Sequence, residues 1–312
     1  MDRKEVYTMR RLMLSIVLLL PLMAHAEHLF EIGVHGGVAG WSSQPVYVQS
    51  QLGLNGGAQL YYNYLSPHVI GFRIGLSCDY HQAGFGKINY EDHYSTIDVE
   101  NQQMDVDYLI GNLSERYTTW SVGVPVQVAL SAKNVLFLVG AKAVFPLTNS
   151  WKQSVENAAL SVYYPAYDNR VEESYPLAAS RNFSMVNEGQ LALQRVQWWA
   201  TAELSYKIPI NKNSRTHNSY IMVGVYGDYC LSKYSPAQSD AISMIMLTDT
   251  RDGFPLQRIL TPVIEANRQG QKLVNQLALF DVGIKLSYAL SPYDASASHP
   301  KKTPCRCLGV WW

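Results

Sequence analysis

The chain has 312 residues, and its 25 lysine and arginine residues balance its 25 aspartate and glutamate residues, so the formal net charge is zero. A balanced charge argues against the strongly basic surface of a nucleic-acid-binding protein, and we expect no nucleic-acid partner. The four cysteines do not form the closely spaced disulfide framework of a small secreted domain.

The N-terminus has the three parts of a secretory signal peptide. Arg10 and Arg11 supply positive charge, an apolar run covers residues 12–22, and Ala24-His25-Ala26 supplies the small residues before a cleavage site. The apolar run is shorter than the roughly 20 residues that a transmembrane helix needs. We therefore expect residues 1–26 to be removed and the mature chain to be exported.

The mature chain contains eight segments in which apolar and polar residues alternate. In the last segment Val282, Ile284 and Leu286 share one face, whereas Asp281 and Lys285 share the other. Because side chains two apart in a strand point the same way, each segment predicts a strand with one apolar face. The eight predicted strands are Leu29–Gly40, Leu54–Leu65, Val69–Tyr80, Tyr117–Leu130, Asn134–Phe145, Gln194–Ile208, Ser219–Leu231 and Leu277–Leu290.

The connections between these strands alternate in length. The short ones are residues 66–68, 131–133 and 211–218, and the long ones are 41–53, 81–116, 147–193 and 232–274. This alternation of short and long connections is typical of outer-membrane barrels, which have short periplasmic turns and long extracellular loops. It predicts an all-β fold over residues 27–290, a closed antiparallel transmembrane β-barrel of eight strands. A soluble periplasmic β-protein with a ligand cavity is the structural alternative, and it does not explain the alternation of short and long connections.

The inward faces of the predicted strands carry charges of both signs. These residues are Glu31, Arg73, Asp79, Lys142, Glu203, Lys207, Asp228, Asp281 and Lys285. Eight strands leave an interior just wide enough for side chains, and desolvated charges there have to be paired. We therefore expect a salt-bridge network that plugs the barrel. A gated or leaky ion path is the alternative for the same residues.

Three segments carry a resemblance to a known family: residues 30–37 (FEIGVHGG), 120–128 (WSVGVPVQV) and 281–288 (DVGIKLSY). They resemble strands of the eight-stranded outer-membrane barrels of the OmpA-like type, in particular the outer membrane protein beta-barrel domain of Bacteroidetes. The resemblance implies an outer-membrane location, contact with membrane lipid and lipopolysaccharide, and insertion by the barrel-assembly machinery. It also implies an assembly signal at Asp281, Gly283, Leu286 and Tyr288.

The C-terminal region departs from that family. OmpA-like proteins often continue into a peptidoglycan-binding domain, whereas 22 residues, 291–312, follow the last predicted strand. We expect these residues to be a disordered periplasmic tail. Cys305 and Cys307 would supply two of the four ligands that a structural zinc site uses, so we expect no metal there.

The predicted loop 81–116 is the part of the chain that suggests enzyme chemistry. Its polar residues include His81, Asp92, His93, Asp98, Asp105 and Asp107. A carboxylate beside an imidazole can form a general base, but the sequence contains no nucleophile motif such as G-x-S-x-G. We expect solvated loop polarity, with weak cation binding as the alternative, and no catalytic residue, cofactor or metal.

The long loops suggest a role at the cell surface, since connections beyond about 12–15 residues are usually functional or disordered. Helical spacing of Leu256, Ile259, Leu260, Val263, Ile264 and Asn267 predicts a short helical cap over the barrel mouth. We expect a non-enzymatic barrel for envelope structure, or for recognition of a surface ligand or envelope protein. The alternatives are a narrow channel, a barrel associated with a secretion system, and an enzyme at the rim that acts on lipid or peptide.

Overall fold

The computed structural model describes residues 27–45, 49–66, 70–97, 100–171, 183–191, 194–210, 218–232, 244–248, 257–268 and 271–291. The predicted signal peptide and residues 292–312 of the predicted tail lie outside the described residues, as do Asp98 and Leu256. The strands are β1 (Glu27–Pro45), β2 (Gln49–Gln51), β3 (Gly53–Leu65), β4 (Ile70–Ile97), β5 (Gln103–Ala132), β6 (Val135–Tyr164), β7 (Asn169–Val171), β8 (Phe183–Gln190), β9 (Gln197–Pro209), β10 (Asn218–Cys230), β11 (Ile245–Thr248), β12 (Gln257–Leu260), β13 (Asn267–Arg268), β14 (Gln271–Lys272) and β15 (Val274–Ser291), with one 3₁₀ turn at Pro165–Tyr167.

Eight of these strands form a ring in which every strand pairs antiparallel with two neighbours. The order round the ring is β1, β3, β4, β5, β6, β9, β10 and β15, and β15 pairs back onto β1. Each of the eight predicted strands lies largely within one of these ring strands. In the lower part each strand of the ring is paired on both sides, so none of them is left there as an open edge.

Both ends of the described chain lie at the end of the ring that carries the short connections. Glu27 pairs with Leu65 and Ser291 pairs with Asn218, next to the 65–70 and 209–218 connections. Ser291, which the sequence assigns to the tail, is thus the last residue of β15. The third short connection is a tight turn at Lys133 and Asn134, in which Lys133 has a left-handed φ of 55°.

The long connections differ from the predicted loops, because much of their length is strand. Residues 81–97 and 103–116 form the outer parts of β4 and β5, which pair as far as Ile97 and Gln103. β6 runs on to Tyr164 and pairs there with β5, and β8 pairs with β6 along residues 150–158. We call this protruding sheet, residues 81–97, 103–119 and 147–164 together with β8, the extension.

The predicted helical cap is wrong in its secondary structure. Ile259 and Leu260 belong to β12, which pairs with β11, and Asn267 belongs to the β13–β14 hairpin. Val263 and Ile264 lie in a turn between these hairpins. Pro262 explains the difference, since proline disfavours helical geometry in the residue before it and has no N–H to donate.

The outward face of the ring is apolar over the part between the short turns and the extension, which we call the lower barrel. The exposed apolar residues include Ile32, Val34, Leu60, Ile74, Leu76, Val126, Val128, Phe137, Val139, Leu204, Val223, Val225, Ile284 and Leu286. Exposed aromatic residues flank this belt, with Phe30, Phe72, Tyr206 and Tyr288 toward the short turns and Trp120, Phe145, Trp198 and Tyr229 toward the extension. An apolar belt between two aromatic levels is the surface that a bilayer requires of a barrel.

Helices contribute nothing comparable. Within the described residues, no helix has the length and apolarity needed to cross a membrane.

Candidate functional site

The first of the candidate features is a buried ion network in the lower barrel. Arg73 donates to Glu203 at 2.6 Å, to Glu31 at 2.8 Å and to the side chain of Asn63 at 2.6 Å. Lys285 lies 2.8 Å from Glu31 and 2.9 Å from Glu203. All five side chains are buried. Two cations and two carboxylates thus neutralise one another where water is excluded, as buried charges require.

A second network lies further toward the extension. The Lys142 ammonium is 2.7 Å from Asp228 and 3.4 Å from Asp79. His35 approaches Asp79 at 3.3 Å, and the Ser77 hydroxyl donates to Asp79 at 2.7 Å. The side chains of β1, β4, β6 and β10 are therefore tied together across the interior.

The other two predicted charges have separate partners. Asp281 is 2.8 Å from His81, whose ring stacks on Trp199 at 5.3 Å between centroids. His81, assigned by the sequence to a solvated loop, is buried inside the ring. Lys207 lies 3.6 Å from Glu27 at the short-turn end. The partners Glu27 and His81 were missed by the sequence reasoning, although their positions in the alternation mark both as inward. The same alternation places His35 on the inward face of the first strand, but the predicted charge network did not include it.

The sequence reasoning also missed an apolar layer inside the ring, at the end that carries the short connections. Its members, which we call the inner layer, are Leu29, Leu65, Ala129, Leu136, Leu138, Met222 and Ala289, all at most 4% exposed. Leu136 and Leu138 alternate with outward-facing, exposed Val135, Phe137 and Val139, so β6 is apolar on both faces at this level. The interior is closed at this end by packed side chains as well as by charges.

The residues of the predicted assembly signal all lie on β15, on both of its faces. Asp281 points inward and is buried, whereas Leu286 and Tyr288 are exposed on the outward face. Gly283 is paired with Gly37 of β1. A Cβ on either glycine would collide with the backbone of the opposite strand, so this pair lets β1 and β15 approach closely.

The extension has an interior of the opposite character. We call its apolar cluster the outer core; it comprises Phe85, Ile88, Tyr90, Tyr94, Met104, Val106, Tyr108, Ile110, Leu113, Tyr117, Trp151, Val155, Val162, Leu191, Met244, Val263, Ile264, Ala266, Leu273, Val274 and Leu277. Met244, Val263, Ile264, Ala266 and Leu273 come from the segment that follows β10. The described parts of that segment thus pack into the interior of the extension, where the sequence predicted a cap, but as turns and short strand pairs instead of a helix.

Two carboxylates lie in or beside the outer core. Asp92 accepts hydrogen bonds from the hydroxyls of Tyr90 at 3.1 Å and Tyr108 at 3.0 Å. Glu115 accepts from the backbone N–H of Val263 at 2.9 and 3.0 Å, and from the Gln153 amide at 2.7 Å. Burial raises the pKa of Glu115 to about 8. The sequence reasoning had treated Asp92 as solvated and had not considered Glu115.

Three other polar residues of the predicted loop, His93, Asp105 and Asp107, lie on the outward face of the extension. His93 and Asp107 form an exposed pair at 2.7 Å, and the Ser95 hydroxyl donates to Asp105 at 2.6 Å. Over the described residues, no group of three or more His, Cys, Asp or Glu side chains is arranged to hold a metal ion.

Comparison with known proteins gives weak likenesses. No family model matches the sequence, and no curated protein matches it. Among solved structures, the crystal structure of Ail, the attachment invasion locus protein of Yersinia pestis, in complex with the heparin analogue sucrose octasulfate is 8% identical with a TM-score of 0.26, and the match covers 84% of this chain and 99% of that chain. A second crystal structure of Ail is 10% identical with a TM-score of 0.23 and the same coverage. The architecture described above rests on the strand pairing of this chain and not on these likenesses.

Proposed function

We propose that this chain is a non-enzymatic outer-membrane β-barrel that displays the extension for recognition of a surface ligand or envelope protein. The observation that carries the proposal is a change of polarity along the strands. In the lower barrel the outward side chains are mainly apolar and the interior holds the ion networks above the inner layer. In the extension the outward side chains are mainly polar, with Leu109 and Val186 among the exceptions, and the interior is mainly apolar. The first arrangement suits lipid outside, and the second suits water outside.

The proposal includes a plugged interior with little or no ion conduction. The two ion networks, the inner layer and the outer core occupy successive levels of the ring. An open channel requires a continuous water path, and each of these levels opposes one. The arrangement therefore favours a structural or recognition role over the narrow channel that the sequence left as an alternative.

The finer assignment to the OmpA-like type is part of the proposal. The support is the ring of eight strands and the placement of Leu286 and Tyr288 on the outward face of β15, where the barrel-assembly machinery can contact them. Membrane lipid and lipopolysaccharide are the partners that the apolar belt and its aromatic borders fit.

Cysteine labelling on intact cells tests this proposal. In a variant whose four native cysteines are replaced by alanine, His93→Cys places a thiol on the exposed face of the extension, and Asn134→Cys places one in the opposite, short turn. We expect a membrane-impermeant maleimide to label His93→Cys on intact cells and to label Asn134→Cys only after the outer membrane is permeabilised. Surface display would be contradicted if intact cells were labelled at Asn134→Cys and not at His93→Cys, or at neither site.

A further inference from the structure

The cap segment, Thr261–Ala266, is buried in the barrel mouth and held there by few polar contacts. Val263, Ile264 and Ala266 are at most 1% exposed within the outer core. The Val263 N–H donates to both oxygens of Glu115, at 2.9 and 3.0 Å, and the Gln153 amide donates to the Thr261 carbonyl at 3.3 Å. Glu115 of β5 is thus the main polar anchor of the cap segment.

The surroundings of Glu115 provide hydrogen bonds but no positive charge. β4 presents Phe85, which is paired with Glu115, and β6 presents Gln153. Tyr117 follows on β5, and the cap segment itself contributes Glu265, whose negative charge opposes ionisation of Glu115. Over the described residues, no lysine, arginine or histidine forms an ion pair with Glu115. A protonated Glu115 fits this site, whereas an ionised one would be an uncompensated charge in an apolar core.

We propose that the cap segment is a proton-controlled lid, closed over the outer core while Glu115 is protonated and released when Glu115 ionises. In the closed state Glu115 is neutral and anchors Val263. Ionisation favours movement of Val263 and Ile264 out of the core, because the open state lets water reach the carboxylate. The inference does not rest on the proposed surface role, since it concerns contacts inside the extension alone.

The direction of the pH dependence follows from the pKa of Glu115 in the two states. The pKa has an ordinary value of 4.5 when the carboxyl is hydrated, and burial raises it to about 8 under the closed lid, while the bonds from Val263 and Gln153 offset part of that rise. The closed lid is therefore fully favoured below pH 4.5 and loses its advantage as the pH rises toward about 8. Within that window the equilibrium constant for closing the lid falls by up to about tenfold per pH unit.

Hydrogen exchange of the purified full chain in detergent micelles tests the lid. Protection factors, corrected for the intrinsic pH dependence of exchange, are measured for the cap segment and for β9 and β10 as a rigid reference. We expect cap protection to fall by up to about 100-fold over two pH units within the window, since each unit contributes up to about tenfold, while β9 and β10 keep their protection. We expect Glu115→Gln, which stays neutral, to keep the cap protected at all pH values.

Two further variants make the test decisive. Asp107→Asn removes an exposed carboxylate from the outer face of the same strand and should leave the wild-type pH dependence unchanged. Glu265→Gln removes the neighbouring acid and so lowers the pKa of Glu115 under the closed lid. The loss of cap protection should then level off at a lower pH and be smaller in total than in the wild type, which tests the proposal even if Glu115→Gln does not fold. Cap protection that is independent of pH in the wild type, or the same pH dependence in Glu115→Gln, would overturn the proposal.

Discussion

The lower barrel and the extension are built from the same strands, yet their two faces have opposite polarity. In β5, Val126 and Val128 are exposed in the lower barrel while Gln127 is buried; further along, Val106 and Tyr108 are buried while Asp107 is half-exposed. Apolar and polar residues alternate in both parts, although the phase of the alternation changes near Gly111 and Asn112, where the register between β4 and β5 shifts. In the proposed membrane barrel, the polarity of each face, and not the alternation itself, marks where lipid would give way to water.

The largest expected loss of stability comes from disrupting the ion network inside the lower barrel. Arg73→Ala leaves Glu31 and Glu203 buried with Lys285 as their remaining cation, and removal of one partner from a buried network costs about 3–5 kcal/mol. We expect this loss in the free energy of unfolding, measured by urea titration in detergent micelles. Arg116→Ala is the matched control, since Arg116 is exposed on the extension and its loss should cost about 0.5 kcal/mol or less. Equal losses from the two variants would show that the network does not stabilise the ring.

A smaller effect sharpens the difference between the two outer faces. Val139→Arg places a charge in the middle of the apolar belt on β6, which in lipid bilayers should cost about 2–4 kcal/mol of stability. Gln103→Arg introduces the same side chain on the exposed face of the extension, where water remains in contact with it. We expect a near-zero change for Gln103→Arg. Similar costs at both positions would contradict the assignment of lipid to one face and water to the other.

The smallest expected effect concerns the His93–Asp107 pair on the extension. Both side chains are about half exposed, at 53% and 46%, so their attraction is screened by water. A double-mutant cycle with His93→Ala and Asp107→Ala should give a coupling of about 0.2–1 kcal/mol that weakens at high salt. A coupling several times larger and insensitive to salt would place this surface out of water.

The sequence predicted the eight ring strands and their outward-facing apolar residues because these depend on local alternation. It did not predict which charges meet. His81 and Asp281 lie 200 positions apart in the chain, and their contact depends on the order in which the strands close the ring. Which charged side chains meet across the interior depends on how distant strands are arranged, and the sequence of a single strand does not determine it.

The part of the extension formed by residues 81–97 and 103–116 was missed for a related reason. Residues 81–116 lack the apolar outward face that marked the other strands, so they were interpreted as a loop. Their alternation is nevertheless regular, with Met104, Val106 and Tyr108 on one face and Asp105 and Asp107 on the other. Reading this pattern with the apolar face inward would have predicted the longer strands and the outer core. The position of Glu115 under the cap segment depends on the fold of distant residues and carries no comparable local signal.

The measurement that most directly tests the account is the gel migration of the outer-membrane fraction with and without boiling. A barrel held by a continuous ring of strand pairs and a buried ion network resists SDS until heated. The account predicts that the protein is found in that fraction and runs at two positions, compact before boiling and extended after it. Absence from the outer-membrane fraction, together with a single heat-independent position, would contradict the membrane barrel.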